Sequence, residues 1–176
     1  MSVRIFAVED DALTGALLRQ YVGELGYEFA GKADNGEAAL EEIRRTRPDL
    51  VLMDIRLHGA MDGVGLAARL RDDNATGVLF LSAYADEDVL ARAKLTEPYG
   101  YLVKPFNRQG LQAAIEVALY KRDAELRQLR LFEDMVRIVT ELVKLHDVFL
   151  NDVQARAARL LLVDLQALAH RKVFEP

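Results

Sequence analysis

A chain of 176 residues, 51% of them hydrophobic, can bury one ordinary core and carry an appendage. The absence of cysteine excludes disulfides, thiolate catalysis and cysteine metal sites, and a net charge of −5 argues against a nucleic-acid-binding module. No run of about twenty apolar residues and no charged-then-apolar leader is present, which predicts a soluble, cytoplasmic chain without a membrane span.

From the N-terminus, short β-rich runs alternate with amphipathic stretches. Strands are predicted over Val3–Val8, Glu28–Lys32, Leu50–Met53, Val78–Leu81 and Tyr101–Val103. The runs VRIFAV, LVLM and VLFL are almost continuously apolar, as in strands buried on both faces. Helices are predicted over 12–24, 36–46, 63–72, 87–95 and 108–129. Arg47-Pro48-Asp49 stops the second helix, because the residue before proline avoids the α region. Five strand–helix repeats predict a doubly wound α/β fold with a parallel sheet. Right-handed crossovers then bring every strand's C-terminal end to one rim, where such sheets bind ligands.

That rim is chemically unusual. The first strand runs into Glu9-Asp10-Asp11, the third ends at Asp54, the fourth at Ser82 and the fifth at Lys104-Pro105. Crowded carboxylates repel one another unless a cation sits among them. Oxygen ligands without Cys or His suit a hard ion such as magnesium. A carboxylate held by such an ion and a lysine can attack phosphorus, while the two cations offset charge on the transferring oxygens.

Residues 1–120 resemble the receiver domain of two-component response regulators. The resemblance rests on VEDD at 8–11, LVLMDIRL at 50–57, MDG at 61–63, FLSA at 80–83 and GYLVKPF at 100–106. It implies a flavodoxin-like five-stranded sheet of order 2-1-3-4-5, and a phosphoacceptor switch rather than an enzyme. By position, Asp54 resembles the acceptor, phosphorylated by a sensor histidine kinase or a small phosphodonor and self-catalysing its phosphorylation and dephosphorylation. Asp10 and Asp54 would bind Mg2+ directly, the Arg56 carbonyl would add a ligand, and Glu9 would act through water. Lys104 would pair with the phosphoryl group, followed by Pro105 in cis. Ser82 would close onto a phosphoryl oxygen and Tyr101 would rotate inward with it.

Two departures from the family pattern stand out. The segment from Leu57 to Gly63 is one residue longer than the commoner version, and Thr96-Glu97-Pro98-Tyr99 replaces small residues, so that Pro98 should end the fourth helix early. His58, four residues past Asp54, is read as a solvated loop side chain within reach of the phosphoryl group. Tyr84, two residues past Ser82, is predicted to slow attack by water on the phosphorylated form.

From Leu111 to Glu175 there is neither glycine nor proline, so residues 122–176 are read as a separate helical region beside a receiver of residues 1–121. One apolar seam runs Leu129, Phe132, Val136, Val139, Val143, His146, Leu150, Val153, Ala157, Leu160; a second runs Leu131, Met135, Ile138, Leu142, Leu145, Phe149. Two adjacent seams favour a bundle over a two-stranded coil. The pattern predicts a hairpin of 122–146 and 150–171, capped at Asp147 or Asn151, that pairs with a second copy. Three outputs stand open: a homodimer presenting a surface to a downstream protein, phosphotransfer through His146, and RNA or DNA binding. Arginines alternating with acids, and no helix-turn-helix punctuation, weigh against the last. A related phosphatase would need an aspartate where Arg56 stands, and a flavodoxin-like cofactor binder a phosphate-cradling loop where Glu9-Asp10-Asp11 stands.

Overall fold

The structure is a computed structural model that describes residues 2–72, 76–83 and 87–146, together with residues 157, 160, 161, 163 and 164. Five strands and five helices alternate: β1 Arg4–Val8, α1 Ala12–Glu24, β2 Glu28–Ala33, α2 Gly36–Thr46, β3 Leu50–Asp54, α3 Gly63–Asp72, β4 Gly77–Ser82, α4 Glu87–Lys94, β5 Gly100–Val103 and α5 Arg108–His146. The strands form one parallel sheet in the order β2-β1-β3-β4-β5, as the resemblance implies.

Strand periodicity divides the core between the two faces of the sheet. Ile5, Ala7, Leu50, Leu52, Leu79 and Leu81 point to the face covered by Leu18 and Val22 of α1 and by Leu111, Ile115 and Ala118 of α5. Phe6, Val8, Val51, Met53, Val78 and Phe80 point to the other face, against Ile43 of α2 and Leu66, Ala67 and Leu70 of α3. The continuous apolar runs are therefore explained by cover on both sides.

Helix starts are set by short polar side chains. Asp11 accepts from the Thr14 backbone at 2.7 Å, Asn35 from Ala38 at 2.9 Å, Asp62 from Gly65 at 2.7 Å and Asn107 from Gly110 at 2.8 Å. The fourth helix ends at Lys94, short of Pro98, after which Glu97 takes a left-handed conformation with φ 49°. At the rim opposite the strand ends, Asp49 accepts from the Arg4 backbone and from Arg122, both at 2.8 Å.

In the tail, α5 runs unbroken from Arg108 to His146, through both the predicted helix over 108–129 and the predicted first arm over 122–146. Gly110 lies in the first turn, and from Leu111 onward no glycine or proline occurs to remove a helical hydrogen bond or favour another backbone conformation. Residue contacts divide the chain into Met1–Arg122 and Asp123–Pro176, so α5 belongs to both units. In the second unit, Leu129, Phe132, Val136, Val139 and Val143 are half-buried, whereas Leu131, Met135, Ile138 and Leu142 are exposed. Of the predicted second arm only residues 157, 160, 161, 163 and 164 are described, all helical and exposed; the rest of it, the caps at Asp147 and Asn151, Tyr84 and the His146 side chain lie outside the described residues. Among the described residues no helix is long and apolar enough to cross a membrane.

Candidate phosphoacceptor and cation site

β1, β3 and β5 end on one rim of the sheet, with β4 between the last two, and the residues at their ends build the site. Glu9 and Asp10 follow β1, Asp54 closes β3, and Lys104 follows β5. Glu9, Asp10 and Asp54 each offer a carboxylate oxygen, all within 4.8 Å of one another. The Lys104 ammonium bridges two of them, donating to Glu9 Oε2 and to Asp54 Oδ2 at 2.6 Å each. The Glu9 side chain is only 1% exposed and that of Asp54 13%, so this is a largely desolvated cluster.

Burial is the main reason that Glu9 holds its proton more tightly than a free carboxylic acid; the Lys104 ammonium opposes the shift. Lys104 is pulled the same two ways. Burial favours its neutral form, but its hydrogen bonds to Asp54 and Glu9 prevail and raise it above an ordinary lysine. One ammonium among three carboxylates leaves excess negative charge. The donor set, three clustered carboxylates without Cys or His, fits a hard divalent cation.

The flanking backbone holds this geometry. Arg56 donates its backbone N–H to Asp54 Oδ1 at 2.9 Å, and Lys104 donates its own to the Ser82 carbonyl at 2.7 Å. The Lys104–Pro105 bond is cis. Ser82 is buried at the end of β4, beside β5. Tyr101 stacks on Phe80 with centroids 5.7 Å apart, and its hydroxyl is buried without a partner among the described residues. Gly63, which starts α3, lies so close to β3 that a Cβ there would drive into the Asp54 carbonyl oxygen. Because that obstacle is backbone, Gly63→Ala should lower stability by about 2 kcal/mol in urea denaturation and displace Asp54.

Two placements were not foreseen. Asp11 turns away from the cluster to cap α1, and its hydrogen bond from Thr14 is the main cause of its lowered pKa. An aspartate just before a helical run is a cap signal that could have separated it from Asp10. His58 is exposed, as expected, yet its Nδ1 meets Asp10 Oδ2.

Comparison with known proteins decides the family. The model of the response regulator receiver domain matches residues 5–116. The chain belongs to that family. It is thus a component of two-component signalling, a signalling switch of a regulator family. Transcriptional regulatory protein PdtaR of Mycobacterium tuberculosis is 32% identical over 138 residues, covering 78% of this chain and 65% of the relative. The positive alginate biosynthesis regulatory protein of Pseudomonas aeruginosa is 37% identical over 130 residues, covering 72% and 51%. This chain therefore spans about two thirds and half of those relatives' lengths. Among solved structures, the signal receiver domain of a modulated diguanylate cyclase from Desulfovibrio desulfuricans is similar with a TM-score of 0.68 and 39% identity, covering 71% of this chain and 99% of that one.

Proposed function

We propose that Asp54 accepts a phosphoryl group from a sensor histidine kinase or a small phosphodonor, and that this event switches assembly or partner binding through the helical tail. The observation that carries the reading is the Lys104 ammonium shared between Glu9 and Asp54 at a rim crowded with carboxylates. Asp54 supplies the nucleophilic oxygen, and Lys104 meets the charge of the incoming phosphoryl oxygens. Asp10, Asp54 and the Arg56 carbonyl would hold Mg2+, with Glu9 acting through water; when bound, the ion would supply positive charge that offsets the charge on the phosphoryl oxygens. Ser82 then closes on a phosphoryl oxygen, and Tyr101 shifts with it against Phe80. The same groups position the water that later hydrolyses the acyl phosphate, so phosphorylation and dephosphorylation are both self-catalysed.

In this reading residues 1–121 form the receiver and residues 122–176 the output region. The exposed row Leu131, Met135, Ile138 and Leu142 pairs with a second copy, and the resulting homodimer presents a surface to a downstream protein. A role alongside a sensor kinase's phosphorylating domain places the chain in the cytoplasm.

The test is to incubate the chain with acetyl phosphate, with and without magnesium, and to map the modified peptide. Labelling confined to Asp54 and dependent on magnesium is expected; magnesium-independent labelling, or label elsewhere, overturns the reading. Magnesium alone should also stabilise the fold. At ten times its dissociation constant the gain is about 1.4 kcal/mol, or about 3–5 °C in Tm. A melting temperature unmoved by magnesium would count against the site.

A further inference from the structure

The loop between β3 and α3 reaches back to the first loop through one residue. His58 donates its backbone N–H to Asp10 Oδ2 at 3.3 Å, and its Nδ1 meets the same oxygen. A ring nitrogen set against a carboxylate oxygen is the protonated one, so Nδ1 acts as a second donor. The loop makes this approach by turning at Gly59, whose φ of +126° lies where a side chain would be strained. A Cβ there would also come within 3.3 Å of Glu37 Oε2. The imidazole is 93% exposed, whereas the Asp10 side chain is 15% exposed. The histidine therefore lies on the solvent side of the carboxylate and leaves its inner side toward Glu9 and Asp54.

We infer that His58 is a positioning residue for Asp10 and sets which divalent cation the site prefers. The inference rests on the proposed cation site. With Oδ2 held by two donors, Asp10 can offer a cation only Oδ1. One oxygen from each carboxylate suits magnesium, which demands short bonds in near-octahedral geometry. Calcium is larger, accepts six to eight oxygens and readily takes both oxygens of a carboxylate, an option that His58 blocks. Outer partners of metal-binding carboxylates typically change affinity by about 10–100-fold, and an exposed imidazole belongs at the lower end of that range.

The experiment is calorimetric titration of the full chain with magnesium and with calcium, for the parent, His58→Ala and His58→Asn. His58→Ala should bind magnesium about tenfold more weakly. Its calcium affinity should be unchanged or higher, so the preference for magnesium falls. His58→Asn, whose amide N–H can stand where the Nδ1 proton stood, should recover most of that preference. An alanine variant with the parent's magnesium-to-calcium ratio overturns the inference while leaving the site intact. So does a loss that asparagine does not recover. A parent chain that binds neither ion overturns the proposed site and this inference with it.

Discussion

Asp54→Asn should accept no phosphoryl group from acetyl phosphate, read as the absence of an acid-stable, hydroxylamine-labile adduct in intact mass. The amide matches the carboxylate in size, so the packing of β3 is kept, but its oxygen is neutral and a poor nucleophile. It also removes one negative charge from a cluster that already has too many, so the variant should fold at least as stably as the parent without metal. Unchanged labelling in Asp54→Asn would move the acceptor elsewhere. Lys104→Met offers the matching control from the other side of the bond. Loss of an ammonium aimed at developing charge should slow labelling by about 10²-fold, with the acceptor itself untouched. It also leaves Glu9 and Asp54 ionised side by side without their shared counter-charge. The stability of Lys104→Met should therefore depend on magnesium more steeply than that of the parent. Thermal melts of both chains over a magnesium series check this.

Much of this site could be read before any coordinates were known, for a physical reason. Runs such as LVLM admit little besides a doubly covered strand, and parallel strands put their last residues on one rim. Glu9-Asp10-Asp11, Asp54, Ser82 and Lys104 could thus be assigned to one rim from sequence order alone. Contacts that depend on the path of a loop were not legible. The His58–Asp10 contact spans 48 residues and turns on the backbone conformation of Gly59. The Arg122–Asp49 ion pair spans 73 residues and depends on where α5 crosses the base of the sheet. Asp10 and Asp11 are chemically identical neighbours, and only the start of α1 assigns one to the cluster and the other to a cap. The continuity of α5 beyond its first turn had a correct cue in the lack of glycine and proline from Leu111 on. The break expected at Asp147 or Asn151 falls outside the described residues.

Replacing Leu131, Met135, Ile138 and Leu142 together by serine should abolish the proposed dimer and leave a monomer. Spaced four, three and four apart, these side chains form one stripe along α5, and each is more than half exposed. A row of large apolar groups left in water favours association, because burying each is worth about 1.5–3 kcal/mol before the entropy of pairing is subtracted. The rim of the stripe supports a second copy as the occupant. Asp134 pairs with Arg137 at 2.7 Å and Glu141 with Lys144 at 2.9 Å, so the charges beside the stripe are neutralised within the helix. Two identical surfaces can then meet without like charges opposing each other. Light scattering over a concentration series should give a dimer for the parent, and for the variant a dissociation constant weaker by at least about 100-fold. Serine leaves the helix intact at small cost, and none of the four positions belongs to the receiver core, so Asp54 labelling should persist in the variant. A parent that stays monomeric at every concentration, with or without beryllofluoride and magnesium, would assign the stripe to a different partner.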